Sequence, residues 1–403
     1  MENIFNTVAF YTLGCKVNQY ESQNIREQFL SQGNYKEVSF NEKSDVYVIN
    51  TCVVTKESEK KARYLIRKIK KDYPFSRVIV TGCLTSGINK NKKIKDADTI
   101  ISNDDKNNFF EKEHKIISKF KSRTRAFLKI QDGCDSFCSY CIIPYVRDKI
   151  YSRPFDEICK EIDNLAENGY KEIVLTGIHI GKYGRNISNN IIDILNYLEE
   201  KKEIKRVRLS SFEPKEITDD LIKFIRHSQK VCSHLHIPLQ SGDDNILEKM
   251  NRNYTGLEYK NIISKIKDSI KHIAVSTDII VGFPGETKEN FENTLKLVED
   301  IKFSKVHIFK YSDRENTKAI NFPYKISDIE KKSRFKILKE KTDEIINEYK
   351  RSFIGKTVSV LIENVFGGYS DNYLPVKIYN KSFEVNQIIN AKVKDVKDGY
   401  LLC

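Results

Sequence analysis

The sequence predicts an α/β fold in three parts: an N-terminal parallel α/β domain over residues 1–120, a partial (β/α)6 barrel of the TIM type over residues 121–350, and a small C-terminal β-barrel over residues 351–403. Two observations lead to this prediction. Apolar strand-like runs alternate with helical runs along most of the chain, which is typical of parallel sheets. After about residue 355 the pattern changes to short strands separated by turn residues, which favours a small β-structure of a kind that often binds RNA.

Three apolar runs of the N-terminal part each end in a cysteine. "VAFYTLGC" ends at Cys15, "VYVINTC" at Cys52 and "RVIVTGC" at Cys83. Because the carboxyl ends of parallel strands meet at one edge of a sheet, where ligands bind, we predict that these thiols converge despite their separation in the sequence. The alternative is three cysteines buried independently near strand ends.

The N-terminal part also contains clear helix signals. The run "TKESEKKARYLIRKIKKDY" predicts a helix with Thr55 as its N-cap and Pro74 just beyond its end. Residues 104–124 are charged and polar, and we interpret them as a linker with some helix.

Six strand-like runs follow the linker, each succeeded by a helical run, and this repetition predicts the partial barrel. The runs are "RAFLKI", "EIVLTGI", "RVRLSSF", "HLHIPL", "VSTDIIVGF" and "KVHIFKY". A long basic helix is predicted over residues 327–350, and turns are predicted at Gly367-Gly368 and Asp398-Gly399. The chemistry of such barrels lies at the carboxyl ends of their strands.

The composition points to a soluble intracellular protein with a polyanionic partner. The chain has 403 residues and a formal net charge of +13, which favours nucleic acid, although a generally lysine-rich composition is the alternative explanation. Nine cysteines form an odd count, and the start "MENIFNTVAF" has no secretory pattern, so we expect no disulfide framework. No apolar run reaches membrane-spanning length, and we expect a cytoplasmic location where thiols are free to bind metal.

The stretch "GCDSFCSYCIIPY" places Cys134, Cys138 and Cys141 in a C-x3-C-x2-C pattern. Structural zinc prefers four ligands, usually in two pairs, and no partner pair is evident. A [4Fe–4S] cluster held by three thiolates keeps one iron open, and an open iron can chelate a small molecule with its own amino and carboxylate groups. Because the pattern follows the first barrel strand, the open iron would face the mouth of the barrel.

This spacing in this position resembles the radical S-adenosylmethionine (SAM) superfamily. Nearly the whole chain further resembles the methylthiotransferases, with a tail similar to their TRAM domain. The matching stretches are "TLGCKVNQYES", "INTCVVT", "VTGC", "FLKIQDGCDSFCSYCIIPYVR", "LTGIHIGKYG", "RLSSFEP", "HLHIPLQSGDDNILEKMNRNY", "DIIVGFPGE" and "HIFKYSDRENTKA". "GCKVNQYES" and "LTGIHIG" are most similar to the branch that acts on threonylcarbamoyladenosine in tRNA.

The resemblance implies two [4Fe–4S] clusters and two SAM per turnover. It assigns the catalytic cluster, where SAM is cleaved to a 5′-deoxyadenosyl radical, to Cys134, Cys138 and Cys141. It assigns a second cluster, which would carry the sulfur to be methylated, to Cys15, Cys52 and Cys83. The implied reaction inserts methylthio at C2 of the adenine, a position whose C–H bond is inert to ordinary acid–base catalysis.

The resemblance also implies a set of residues that contact SAM or substrate: Tyr140, Thr176, Gly177, Glu213, Gln240, Arg252 and Gly282. The alternatives are a packed tyrosine, turn glycines and solvated loop side chains. His179 and His236 lie at strand ends, and we interpret both as buried, hydrogen-bonded histidines rather than metal ligands.

The implied partners are the anticodon stem-loop of tRNA, a reducing electron donor and a sulfur donor, with the protein acting as a monomer and without a membrane. Two alternatives keep the chemistry and change the substrate, to isopentenyladenosine in tRNA or to a ribosomal protein. A third alternative is a non-catalytic RNA-binding iron–sulfur protein.

Overall fold

The computed structural model describes most of the chain. The described residues are 5–89, 94–106, 116–121, 123–379 and 383–403. Much of the predicted linker, residues 107–115 and 122, lies outside the described residues. None of the helices in the described ranges has the length and apolar character needed to cross a bilayer.

The N-terminal part is a five-stranded parallel sheet with helices on both faces, as predicted. Its elements are β1 (Asn6–Thr12), α1 (Lys16–Ser31), β2 (Tyr35–Glu37), β3 (Val46–Thr51), α2 (Lys56–Asp72), β4 (Arg77–Gly82) and β5 (Thr99–Ile100). The strand order is β2-β1-β3-β4-β5, and the central strand β3 is buried along its whole length. Thr55 caps α2 by accepting a hydrogen bond from the Ser58 N–H at 3.2 Å, which confirms the predicted start of that helix.

The central part contains the six predicted strands in the predicted order. They are β6 (Arg125–Lys129), β9 (Glu172–Thr176), β10 (Arg206–Leu209), β11 (His234–His236), β12 (Ala274–Val281) and β13 (Lys305–Lys310). A short hairpin pairs β7 (Gln131–Asp132) with β8 (Tyr151–Ser152). The helices are α3 (Ile143–Val146), α4 (Phe155–Glu167), α5 (Ile191–Glu200), α6 (Asp219–His227), α7 (Asp244–Lys249), α8 (Gly256–Ser269), α9 (Lys288–Ile301) and α10 (Asp328–Arg351).

These strands form a partial barrel. Two parallel sheets, β10-β9-β6 and β11-β12-β13, are joined by the backbone bridges Val207–Val231 and Ser211–His236. One large core fills the space between the strands and the surrounding helices, and it includes Tyr20 from α1. Helix α1 of the N-terminal part is therefore packed directly against the barrel, beside β6.

The C-terminal part is a six-stranded, mostly antiparallel sheet with its own core. Its strands are β14 (Thr357–Asn364), β15 (Gly367–Ser370), β16 (Pro375–Lys377), β17 (Ile388–Lys392), β18 (Asp395–Lys397) and β19 (Tyr400–Leu402). The predicted turn at Asp398-Gly399 is confirmed between β18 and β19. The prediction of a turn at Gly367-Gly368 is wrong, because both glycines begin β15, where a Cβ would collide with neighbouring backbone carbonyls.

Candidate functional site

The barrel cysteines lie on a loop that the β7–β8 hairpin and the end of α7 hold in place. The Cys134 N–H donates to the Arg147 carbonyl at 3.2 Å, and the Ser139 N–H donates to the Met250 carbonyl at 3.0 Å. Phe137 adopts a left-handed backbone with φ of 45°, a strained conformation for this side chain. The loop is thus fixed from both sides, at the carboxyl end of the first barrel strand.

The thiols of this loop have different electrostatic surroundings. Burial opposes ionisation of Cys134, but hydrogen bonds from His179 and Ser136 outweigh it, and the pKa of this thiol lies below its usual value. Burial raises the pKa of Cys138, and Arg252, whose guanidinium lies 3.2 Å from the sulfur, moderates that rise. Burial raises the pKa of Cys141 strongly. Two of the three thiols are therefore costly to ionise unless a metal takes the charge.

The three N-terminal cysteines converge, as the strand pattern predicted. Cys15 follows β1, Cys52 follows β3 and Cys83 follows β4, all at the carboxyl edge of the parallel sheet. Burial raises the pKa of Cys52 to about 12, and the neighbouring thiols of Cys83 and Cys15 contribute to the rise. Gly14 adopts φ of 96°, and a Cβ there would lie 2.8 Å from the Cys52 Cβ, so only glycine permits this approach.

A buried ionic network links the two sets of cysteines, and Arg147 is at its centre. The Arg147 guanidinium donates to Glu21 and Asp132 at 2.8 to 2.9 Å, and also to the Asn18 amide oxygen at 2.9 Å. Asn18 in turn donates to the carbonyl of Thr51, which directly precedes Cys52. Since the Arg147 carbonyl accepts from the barrel cysteine loop, one residue contacts the supports of both sites.

The donor chemistry of both sites fits [4Fe–4S] clusters. All nine cysteines are free, and the other three lie outside these groups, on α4, beside Arg208 and in the C-terminal core. Each site therefore offers three thiols and no fourth. In the described part of the chain, the ligand atoms that lie close enough together to bind a single metal ion belong to His236, Asp278 and His307, not to either set of cysteines. Three thiols spaced more widely than single-ion ligands suit a cluster with one open iron.

Three of the predicted contact residues, Tyr140, Glu213 and Arg252, lie around the barrel cysteines. Arg252 contacts the Cys138 sulfur and forms an ion pair with Glu213. Tyr140 packs against a small apolar cluster that contains Phe283, the neighbour of Gly282. The predicted contacts that follow the third and fourth barrel strands, Glu213 and Arg252, therefore meet beside the Cys138 thiol.

The remaining predicted contact residues shape the strand ends. Thr176 ends β9, and Gly177 is packed so closely that a Cβ would lie 3.0 Å from the Gln131 carbonyl. Gln240 has a left-handed backbone with φ of 67°, and its N–H donates to the Asp278 carbonyl at 2.8 Å. The Gly282 N–H donates to the buried Glu286 at 2.7 Å, on the side of α10. In the described contacts, Gly282 and Gln240 touch barrel residues rather than the cysteine loop.

Sequence reasoning missed the residues that support the cysteines. His179 is buried and hydrogen-bonded, as predicted, but its Nδ1 lies 3.7 Å from the Cys134 sulfur, so it belongs to the site. Arg147 and Glu21 were not predicted, although both lie in matching stretches, "IPYVR" and "NQYES". The signal in the sequence that could have identified Arg147 and Glu21 is a charged residue close to a cysteine motif, in a buried segment.

Gly133 provides a test of how closely the cysteine loop is packed. It has φ of 79°, and a Cβ would lie 2.1 Å from the Lys149 carbonyl oxygen. We expect Gly133→Ala to cost roughly 2–5 kcal/mol in unfolding free energy, from left-handed strain plus collision with the backbone. Gly169→Ala is the matched control, because Gly169 has φ of 84° and no atom within 4 Å of its Cβ position. Urea unfolding and iron content measure both effects, and equal losses in the two variants would contradict the packing argument.

Two family models match separate parts of the chain. The model described as the radical SAM superfamily matches residues 128–298, and the model described as uncharacterized protein family UPF0004 matches residues 7–103. Among solved structures, the radical S-adenosylmethionine methyltransferase TsrM from Kitasatospora setae has a TM-score of 0.51 at 12% identity, covering 76% of this chain and 75% of that chain. This similarity supports the fold alone.

Curated relatives span almost the whole chain. The threonylcarbamoyladenosine tRNA methylthiotransferase MtaB of Bacillus subtilis is 37% identical, covering 98% of this chain and 94% of the relative. The protein of the same description from Thermotoga maritima is 34% identical, with 98% and 96% covered. The tRNA-2-methylthio-N(6)-dimethylallyladenosine synthase of Clostridium tetani is 32% identical, with 98% and 97% covered. Relatives this similar over this length show that the chain belongs to the radical SAM methylthiotransferases of the MtaB-like family.

Proposed function

We propose that this chain inserts a methylthio group at C2 of N6-threonylcarbamoyladenosine, next to the anticodon of tRNA. The observation that carries the proposal is the pair of three-cysteine sites, one on the N-terminal sheet and one on the barrel, joined through Arg147. Two such sites are what the reaction requires, one for SAM cleavage and one for sulfur. The similarity to MtaB relatives supports the choice of substrate.

The proposal assigns Cys134, Cys138 and Cys141 to the SAM-cleaving cluster and Cys15, Cys52 and Cys83 to the sulfur-carrying cluster. When bound, the clusters and two SAM supply the one-electron chemistry, the sulfur and the methyl group. The protein's own contribution is to shield the clusters and to orient SAM and the substrate beside them.

The remaining assignments concern the surroundings of the barrel cluster. Tyr140, Arg252 and Glu213 would surround SAM beside Cys138, and Thr176, Gly177, Gln240 and Gly282 would shape the surrounding strand ends. The Arg252–Glu213 ion pair holds the guanidinium against the Cys138 thiol.

The proposal also covers organisation and partners. The three units would comprise residues 1–120, 121–350 and 351–403, acting as a monomer with external electron and sulfur donors. The net charge of +13 supports a phosphate-rich partner whose binding weakens as salt rises. The target base must leave its stack to reach the barrel, as it does for other enzymes that modify bases.

Nucleoside mass spectrometry tests the reaction and the substrate together. The tRNA would come from a host that lacks its own methylthiotransferases and expresses this chain. We expect methylthio-threonylcarbamoyladenosine, and we expect it to disappear in a host that cannot make threonylcarbamoyladenosine. Detection of methylthio-isopentenyladenosine instead would support the same reaction on a different substrate. The absence of both products, with protein that is folded and iron-loaded, would favour a ribosomal protein substrate or a binding-only role.

A further inference from the structure

We propose that the inner side of the barrel contains a binding site for the carboxylate of the threonylcarbamoyl group, formed around Lys16 and Tyr373. The inference rests on the proposed function and deepens it, because it names the residues that would select this N6 substituent. We call the space enclosed by the inner faces of the six barrel strands the lumen.

Strand alternation identifies the residues that face the lumen. Val275 and Ile279 of β12 pack in the core beneath the helices, so Ser276 and Asp278 between them face inward. By the same rule Leu235 faces the helices, and its neighbours His234 and His236 face the lumen. On β13, His307 and Phe309 alternate with Val306 and Ile308, which pack against the helix-facing core, so they also face inward.

The C-terminal sheet closes the lower end of the lumen. Tyr373 lies on the turn between β15 and β16, in a left-handed backbone with φ of 63°. Its ring lies 4.4 Å from the Arg208 guanidinium and 5.3 Å from that of Arg125, and it packs edge-on against His234 at 5.1 Å between centroids. A strained conformation that places one side chain among these groups points to a functional reason for its position.

Exposure differs between the inward-facing positions of the two strands. On β12, Ser276 near the floor is 2% exposed and Asp278 is partly exposed. On the edge strand β13, Lys305 is exposed and Phe309 is 44% exposed. The lumen is therefore accessible along β13. An exposed aromatic ring on that strand suits stacking against an extruded base.

A chain of hydrogen bonds fixes the polar groups of the lumen. His236 lies 3.3 Å from Asp278 through Nε2 and 2.9 Å from the Ser276 hydroxyl through Nδ1, and that hydroxyl lies 2.9 Å from His234 Nε2. A proton on His236 Nε2 would face the Asp278 carboxylate and leave Nδ1 of His236 to accept from the Ser276 hydroxyl. His234 then donates to Ser276, and its buried Nδ1 has no partner among the described residues.

The lumen carries uncompensated positive charge. Arg208 is paired with Glu172 at 2.8 Å and Arg125 with Glu363 at 2.7 Å. Lys16, the first residue of α1, is within electrostatic reach of both arginines, and no carboxylate of the described chain forms a salt bridge with it. The Tyr373 ring lies 5.3 Å from the Arg125 guanidinium. Burial opposes ionisation of the Tyr373 phenol, but the positive charges of Arg125 and Lys16 outweigh it and hold the pKa of the phenol below its usual value. A partly buried ammonium beside two guanidinium groups favours an anionic ligand.

The same charges argue against a metal ion at His236, Asp278 and His307, although their ligand atoms lie within 4.8 Å of one another. Burial and the positive charge of Lys305 hold the pKa of His307 below its usual value, Lys16 acts in the same direction, and the Asp278 carboxylate acts against them. The two lysines outnumber this carboxylate, and their net positive charge favours an anion beside the group over a divalent cation.

The threonylcarbamoyl group matches this arrangement. It carries a carboxylate on a short polar arm, whereas an isopentenyl group carries no charge. With the base stacked near Phe309, the arm would extend past His307, two residues lower on β13 and about 7 Å away. That displacement brings the carboxylate toward Lys16 and Tyr373, while Asp278 remains available to accept from the N–H groups of the arm.

The test compares three anticodon stem-loop RNAs at one salt concentration. The first carries threonylcarbamoyladenosine, the second carries the same group with its carboxylate converted to a carboxamide, and the third carries unmodified adenosine. We expect the iron-loaded protein to bind the acid about tenfold to hundredfold more tightly than the carboxamide, as for loss of one charged hydrogen bond. Lys16→Met should reduce this preference to about twofold or less, and Tyr373→Phe should reduce it several-fold.

Lys36→Met is the matched control, because Lys36 is exposed on β2 and its loss removes the same charge without touching the lumen. It should keep the preference for the acid. Equal binding of acid and carboxamide by the unmodified protein would overturn the carboxylate site. If neither binds better than unmodified adenosine, the proposed substrate itself is wrong. Iron content and SAM cleavage show whether the Lys16→Met variant is misfolded. If it is, the Tyr373→Phe variant tests the carboxylate site instead, because it removes the hydroxyl and preserves the ring.

Discussion

Replacing Cys15 with alanine is expected to preserve SAM cleavage and abolish methylthio insertion. Cys15 lies at the edge of the N-terminal sheet with Cys52 and Cys83, on a different segment from the loop that holds Cys134, Cys138 and Cys141. If each set holds its own cluster, removal of one ligand of the N-terminal set leaves the barrel set intact. Anaerobic assays of 5′-deoxyadenosine and of methylthiolated nucleoside in the same reaction measure the two activities separately.

Cys138→Ala is expected to abolish both products, because its sulfur lies in the barrel loop against Arg252. Cys159→Ala is the matched control, since this free cysteine lies on α4 outside both sets, and it should retain both activities. Full methylthiolation by Cys15→Ala would remove the second-cluster assignment. Loss of SAM cleavage in Cys15→Ala, with iron retained at the barrel site, would mean that the two sets do not work as separate sites.

Arg147→Met is expected to destabilise the protein strongly. The substitution leaves Glu21 and Asp132 buried without their central cation, and breaking a buried ionic network in this way costs about 3–5 kcal/mol. Burial opposes the ionisation of both carboxyls, yet Arg147 holds the pKa of each below its usual value, so both remain charged at neutral pH. The midpoint of urea unfolding should fall well below that of the unmodified protein.

Arg63→Met is the matched control for this substitution. Arg63 pairs with Glu59 at 3.0 Å on α2, both side chains are partly exposed, and Glu59 also pairs with Arg314. A pair of this kind near the surface contributes about 1 kcal/mol or less. Because Arg147 contacts the supports of both cysteine sets, its loss should also lower iron incorporation at both. An unchanged midpoint in Arg147→Met, or a loss as large in Arg63→Met, would contradict a stabilising role for the network.

The sequence predicted most elements of the fold because each leaves a local pattern. The strands before Cys15, Cys52 and Cys83 are short apolar runs, and the rule that parallel strands share a carboxyl edge brings their thiols together. The six barrel strands carry the same signal. The wrong turn at Gly367-Gly368 shows the limit of such patterns, since a glycine pair fits a crowded strand as well as a turn.

The supports of the site could not be predicted in the same way. Arg147 and Glu21 are 126 residues apart, and nothing in either segment identifies the other as its partner. The contact between His179 and Cys134 likewise depends on how two strand ends pack. Tyr373 is an extreme case, because its position depends on how the C-terminal sheet packs against the barrel.

Tyr373 has a consequence for experiments that treat the C-terminal sheet as a detachable RNA-binding module. Removal of that sheet would take away the floor of the barrel and expose Arg125, Arg208 and His234 to water. A truncated chain would then lose activity even if RNA binding by the C-terminal sheet did not contribute to the reaction. Exchange of this sheet between relatives would alter the surroundings of Arg125, Arg208 and His234 as well as the proposed RNA-binding surface.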